Sequence, residues 1–177
     1  MVSHLGHRQQ GRQRLTVTTL SLNAVTFVRR DPDRVFRDLH DPRTLLNCVP
    51  GATLMRLTGP GSFEARISFG LGPFRSEYKG KGRIVASDPL TRTASLDISG
   101  DPSVNLATVR VHMTMAIAER SGGSEIDMSF DIAMSERTWL LANGWLDPIA
   151  CDLLDRTTRR LKQQLEEAPV MPLPPAA

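Results

Sequence analysis

Cysteine is nearly absent: Cys48 and Cys151 are the two in 177 residues. That is too few for the disulfide framework of a small secreted fold, so a reducing compartment and two buried or half-buried thiols are expected. Long apolar runs are missing as well, none approaching the roughly 18 residues that a membrane-spanning helix needs. The first fourteen residues hold no apolar core of the kind a secretory signal requires. The sequence therefore reads as cytoplasmic, with any membrane contact peripheral. Charge of one sign is also lacking. Setting Arg8, Arg12 and Arg14 aside from the 22 basic residues leaves 19 against 19 acidic ones, which excludes nucleic acid as the main partner, because phosphate binding needs a concentrated cationic excess.

Catalytic signatures are absent too. Of four histidines, only His40 and His112 lie inside the folded part, and neither has a partner at metal-ligand spacing. There is no Gly-x-Ser-x-Gly elbow and no Cys-x-x-Cys. Glycines cluster at 59–61, 70–72 and 80–82, but without the strand-to-helix setting of a phosphate loop, so they read as turns and a bent strand. No catalytic residue, metal site or resident cofactor is assigned.

What is present is an ordered succession of elements between two polar or Pro-rich ends. Residues 1–14 read as a disordered extension and 169–177 as a Pro-rich tail, leaving a single domain over 15–168. A β-branched run over 15–28 predicts a first strand. Asp31-Pro32 and Asp41-Pro42 each pair an N-cap with proline at the first helical position, predicting two short helices that end at Leu39 and before Pro50-Gly51. Strands are expected over 52–58, 62–70, 73–87, 92–99, 104–119 and 124–134. A long helix is expected over 135–167, either kinked at Pro148 or broken, with a second piece starting at Asp147.

Alternation divides each strand into a wet and an apolar side. Arg110, His112, Asp127, Asp131, Glu77 and Asp97 fall outward. The inward set from the early strands is Phe63, Ile67, Phe69, Phe74, Tyr78 and Leu96. The later strands contribute Val109, Val111, Met113, Met115, Met128, Phe130, Ile132 and Met134. Trp139, Leu146 and Ile149 face them from the last helix. These residues are the candidate ligand pocket: methionines give an adaptable apolar wall, aromatics give flat ones, and Gly80 and Gly82 bend the strand or leave space. Cys48 reads as a packing residue. Arg156, Arg159, Arg160 and Lys162 read as a solvated face balanced by Asp155, Glu166 and Glu167, with anionic headgroups as an alternative. The fold class is α+β, one antiparallel sheet of about seven strands wrapped around a long C-terminal helix, with two short helices between the first two strands.

Two stretches, DPRTLLNCVPGATL (41–54) and GPFRSEYKGKGRI (72–84), resemble the CoxG family, a branch of the START-like (SRPBCC) superfamily named for the small accessory protein of carbon monoxide dehydrogenase. The resemblance covers about residues 20–167 and weakens in the second half, where SGDPSVNLATV (99–109) and MSERTWLLANGWLDP (134–148) depart from the family's glycine-rich pattern. It implies a helix-grip fold enclosing a cavity and a non-enzymatic accessory or carrier protein that binds a lipid or quinone. It also implies molybdenum hydroxylase subunits and the inner face of the cytoplasmic membrane as partners. The alternatives are a START-like cyclase or dehydratase using Tyr78, and an interaction module with a filled core.

Overall fold

The computed structural model describes residues 17–71, 74–102, 108–135 and 146–167. Strand β1 (Val17–Val28) opens the fold, as its β-branched content favours. Helices α1 (Pro32–Leu39) and α2 (Pro42–Cys48) follow. Each starts as its Asp-Pro pair dictates: Asp31 accepts from the Arg34 N–H and Asp41 from the Arg43 N–H, both at 3.0 Å. Proline beside the cap sacrifices no helical hydrogen bond. After α2 the chain turns at Gly51, whose φ of +77° only glycine adopts freely. An added Cβ there would also lie 2.1 Å from the Ser68 carbonyl oxygen. This close approach carries the chain from the short helices into the sheet.

Six more strands complete that sheet: β2 (Ala52–Gly59), β3 (Ser62–Leu71), β4 (Phe74–Asp88), β5 (Thr93–Pro102), β6 (Val109–Arg120) and β7 (Gly123–Ser135). All pairings are antiparallel, in the order β1-β7-β6-β5-β4-β3-β2. The first strand thus lies at one edge and the second at the other, with α1 and α2 connecting them. Register is continuous from β5 through β1. It shifts at Ile84/Ala86 in β4 and twice in β2, where bulges increase the local twist.

Helix α3 (Leu146–Glu167) packs against β1 and α2. Pro148 lies in the first described turn of this helix, and the choice between a kinked and a broken helix falls on residues outside the description. Residues 136–145, which include Trp139 and Trp145, lie outside the described residues, as do both tails and positions 104–107 of the sixth predicted strand. Leu161 and Leu165 are buried and join Val28, Val35, Phe36, Leu39, Met115, Ile117, Ile126 and Met128 in one core cluster. The end of α3 is tied to the end of β1: Arg30 donates to the Leu165 carbonyl at 2.6 Å and the Arg29 N–H to the Glu166 carboxylate at 3.1 Å. Cys151 departs from expectation. It is exposed, because it falls on the solvent side of α3 with Asp152 and Asp155.

Candidate functional site

Continuous register arranges the inner-face side chains in rows across β5, β6, β7 and β1. Ile98, Val111, Ile132 and Leu20 form one row, and Leu96, Met113, Phe130 and Leu22 the next. Ala94, Met115, Met128 and Ala24 form a third. Burial is graded along this floor. Met115 and Met128 are buried in the core cluster beneath α1 and the end of α3. In the first two rows, by contrast, Ile98, Val111, Ile132, Leu20, Met113, Phe130 and Leu22 are only half-buried although they face inward and are apolar. Apolar area left partly in water on an inner face is what an apolar ligand would cover.

Beside this floor the short helices and the sheet enclose a small recess. Leu39, His40 and Leu45 face Ile84, Ala94, Ser95, Leu96, Met113 and Met115 across it. The recess is partly open and its volume is about 20 Å³, room for one water-sized group. The lining is apolar except for Ser95 and His40. The His40 Nδ1 atom is buried and finds no hydrogen-bond partner among the described residues. Its ring packs against Phe36, centroids 5.4 Å apart and planes tilted by 38°.

The remaining sequence-predicted positions are distributed around the floor. Tyr78 and Met134 are buried and Ile67, Val109 and Ile149 half-buried. The Tyr78 ring lies beside Gly100, where an added Cβ would meet its Cδ1 at 3.6 Å. Phe63 is buried for a specific reason. Its ring occupies the space above Gly82, and a Cβ on Gly82 would fall 2.2 Å from its Cζ. The room created by that glycine is thus filled by Phe63 rather than left open. Phe69 lies on β3, Phe74 on β4 and Leu146 at the start of α3, with their side chains outside the description, and Trp139 falls outside the described residues altogether.

A row of polar groups crosses the outer face. Asp97, His112, Asp131 and Ser21 lie directly opposite one another on β5, β6, β7 and β1. His112 Nδ1 donates to Asp97 Oδ1 at 2.6 Å and Ser21 Oγ to Asp131 Oδ1 at 2.6 Å. Among the described residues no group of His, Cys, Asp and Glu has the arrangement of a metal site. Cys48 is buried between α2 and α3, its thiol donating to the Thr44 carbonyl at 3.1 Å and lying 3.3 Å from Gln164 Oε1. Burial pushes its pKa up to about 11, against a smaller lowering by Arg160.

Comparison with known proteins decides the family. The sequence model for the G subunit of carbon monoxide dehydrogenase (CoxG) matches residues 26–166, most of the chain. This chain belongs to the CoxG family. No curated protein sequence matches it. Among solved structures, this CoxG chain is similar to a conserved protein from Geobacillus kaustophilus, with a TM-score of 0.69, 16% identity, and 82% of this chain and 95% of that one covered. It is also similar to norcoclaurine synthase from Thalictrum flavum in complex with dopamine and hydroxybenzaldehyde, with a TM-score of 0.62, 16% identity and coverage of 97% and 99%. Ara h 8.0201 gives a TM-score of 0.53 at 15% identity, with 84% and 98% covered. These likenesses establish the START-like helix-grip fold of the CoxG chain.

Sequence analysis of the CoxG chain did not find Leu39, His40, Leu45 or Ala94 as lining residues. The two short helices read as interruptions of the sheet, so their inward side chains were not paired with it. One signal was available: behind the Asp31 cap, Val35 is four residues from Leu39 and Phe36 four from His40, so each pair stacks on one side of the helix.

Proposed function

We propose that this CoxG-family chain is a non-catalytic carrier that binds an apolar small molecule, a lipid or a quinone, along the inner face of its sheet. It serves a molybdenum hydroxylase of the carbon monoxide dehydrogenase type. The observation that carries this reading is the band of inward, apolar and half-buried side chains on β5, β6, β7 and β1. An isolated filled core would bury them. The partner is supported by the family's description as a subunit of carbon monoxide dehydrogenase. The small-molecule role is supported by norcoclaurine synthase, which shares the fold and was solved in complex with dopamine and hydroxybenzaldehyde. Val109, Val111, Met113, Phe130 and Ile132 form the floor of the proposed pocket, with Leu96, Met115, Met128, Met134, Phe63, Ile67 and Tyr78 around it. Ile149 faces it from the last helix, and the expectation from the sequence adds Phe69, Phe74, Trp139 and Leu146. Contact with the inner face of the cytoplasmic membrane is peripheral in this reading. No helix among the described residues is long and apolar enough to cross a bilayer.

Native mass spectrometry of the purified protein, followed by organic extraction, tests the proposal. A co-purifying apolar molecule, or stoichiometric uptake of an added quinone or lipid, is the expected result. Protein that stays empty under both conditions would sink it. A catalytic reading rests on buried Tyr78. It requires turnover that Tyr78→Phe abolishes while ligand affinity changes little.

A further inference from the structure

A buried ring nitrogen without a partner costs free energy unless something occupies the place opposite it. His40 Nδ1 is such an atom among the described residues, and the His40 side chain borders the small recess between the α1–α2 corner and the sheet. The recess has room for one oxygen-sized group. Two of its walls, Leu96 and Met113, belong to the row that continues into half-buried Phe130 and Leu22. A polar end seated beside His40 would therefore leave an attached apolar body lying on the floor formed by those rows.

We infer that His40 is the polar anchor of the ligand site and selects an apolar molecule carrying a carbonyl or hydroxyl oxygen over a plain hydrocarbon. The inference rests on the carrier reading and deepens it. Imidazole is suited to either oxygen. With the proton on Nδ1 it donates to a carbonyl, and with the proton on Nε2 the bare Nδ1 accepts from a hydroxyl. Leu39, Leu45 and Met115 line the same recess with apolar side chains, and low local polarity strengthens a hydrogen bond made there. Helix α1 supplies the rigidity: the His40 backbone N–H is held by the Phe36 carbonyl at 3.1 Å and the ring rests on Phe36.

Three nine-carbon probes separate the possibilities when titrated into the full-length protein: n-nonane presented from cyclodextrin, 2-nonanone and 1-nonanol. One of the two oxygenated probes is expected to bind about five- to tenfold more tightly than nonane, the range of one neutral hydrogen bond. The ¹⁵N resonance of His40 Nδ1 should move on saturation with that probe and stay still with nonane. His40→Phe should erase the difference between the oxygenated probe and nonane. If all three probes bind alike and the resonance stays still, only a water or nothing faces His40; the inference then fails while the carrier reading stands. It fails in the same way if the preference survives in His40→Phe. If no probe binds, both readings fall. The wild-type resonance settles the matter even if the variant does not fold.

Discussion

A Cβ placed on Gly82 would overlap the Phe63 ring, so these two residues on neighbouring strands form one packing unit. Gly82→Ala should cost about 1–3 kcal/mol, the range for overpacking a filled core. In a double-mutant cycle, Phe63→Leu should recover part of that loss; strictly additive costs in urea denaturation would mean the ring does not rest on the glycine. Cys48 gives a second test at this scale. Its thiol pKa is raised from 9.0 to about 11, so the folded state holds the proton more tightly than the unfolded state does. The resulting stability is complete below pH 9 and lost as pH rises towards 11. Unfolding curves should show this alkaline slope, and Cys48→Ala should flatten it. At about pH 8 a disulfide reagent should label exposed Cys151 in the native protein and reach Cys48 only on unfolding.

At the scale of elements, caps and packing faces carry separate burdens. Asp31→Ala removes the bond to the Arg34 N–H and should lower stability by about 1 kcal/mol. Leu165→Ala leaves a cavity where α3 meets the core cluster and should cost about 2–5 kcal/mol. Equal losses in thermal or urea unfolding would contradict this division. Element positions were legible in the sequence because their causes are local. Asp-Pro pairs announce both short helices, and period-two alternation announces six strands. The sites of close approach were not legible. Nothing in KGKGRIV reveals that Phe63, about twenty residues earlier, occupies the place beside Gly82, or that register shifts after Ile84. His40 was missed for the same reason: its surroundings come from β4, β5 and β6, and only folding brings them to α1.

For the whole molecule, the half-buried floor means that ligand and stability are linked. A molecule bound only by the folded chain stabilises it by about 2.7 kcal/mol at a hundred times its dissociation constant. For a domain of this size the melting temperature should then rise by roughly 5–10 °C. Differential scanning calorimetry of extracted and reloaded protein reads this directly, and an unchanged melting temperature on saturation would argue against binding at the inner face.

The row of Asp97, His112, Asp131 and Ser21 on the outer face bears on how such a cavity changes size. A one-residue slide between these strands would turn acids inward and methionines outward. A two-residue slide would keep the faces but separate His112 from Asp97 and Ser21 from Asp131. The continuous ladder resists both slides, the exposed pairs adding at most about 1 kcal/mol each, so a larger guest is better accommodated by the helices shifting over the sheet than by its strands shearing.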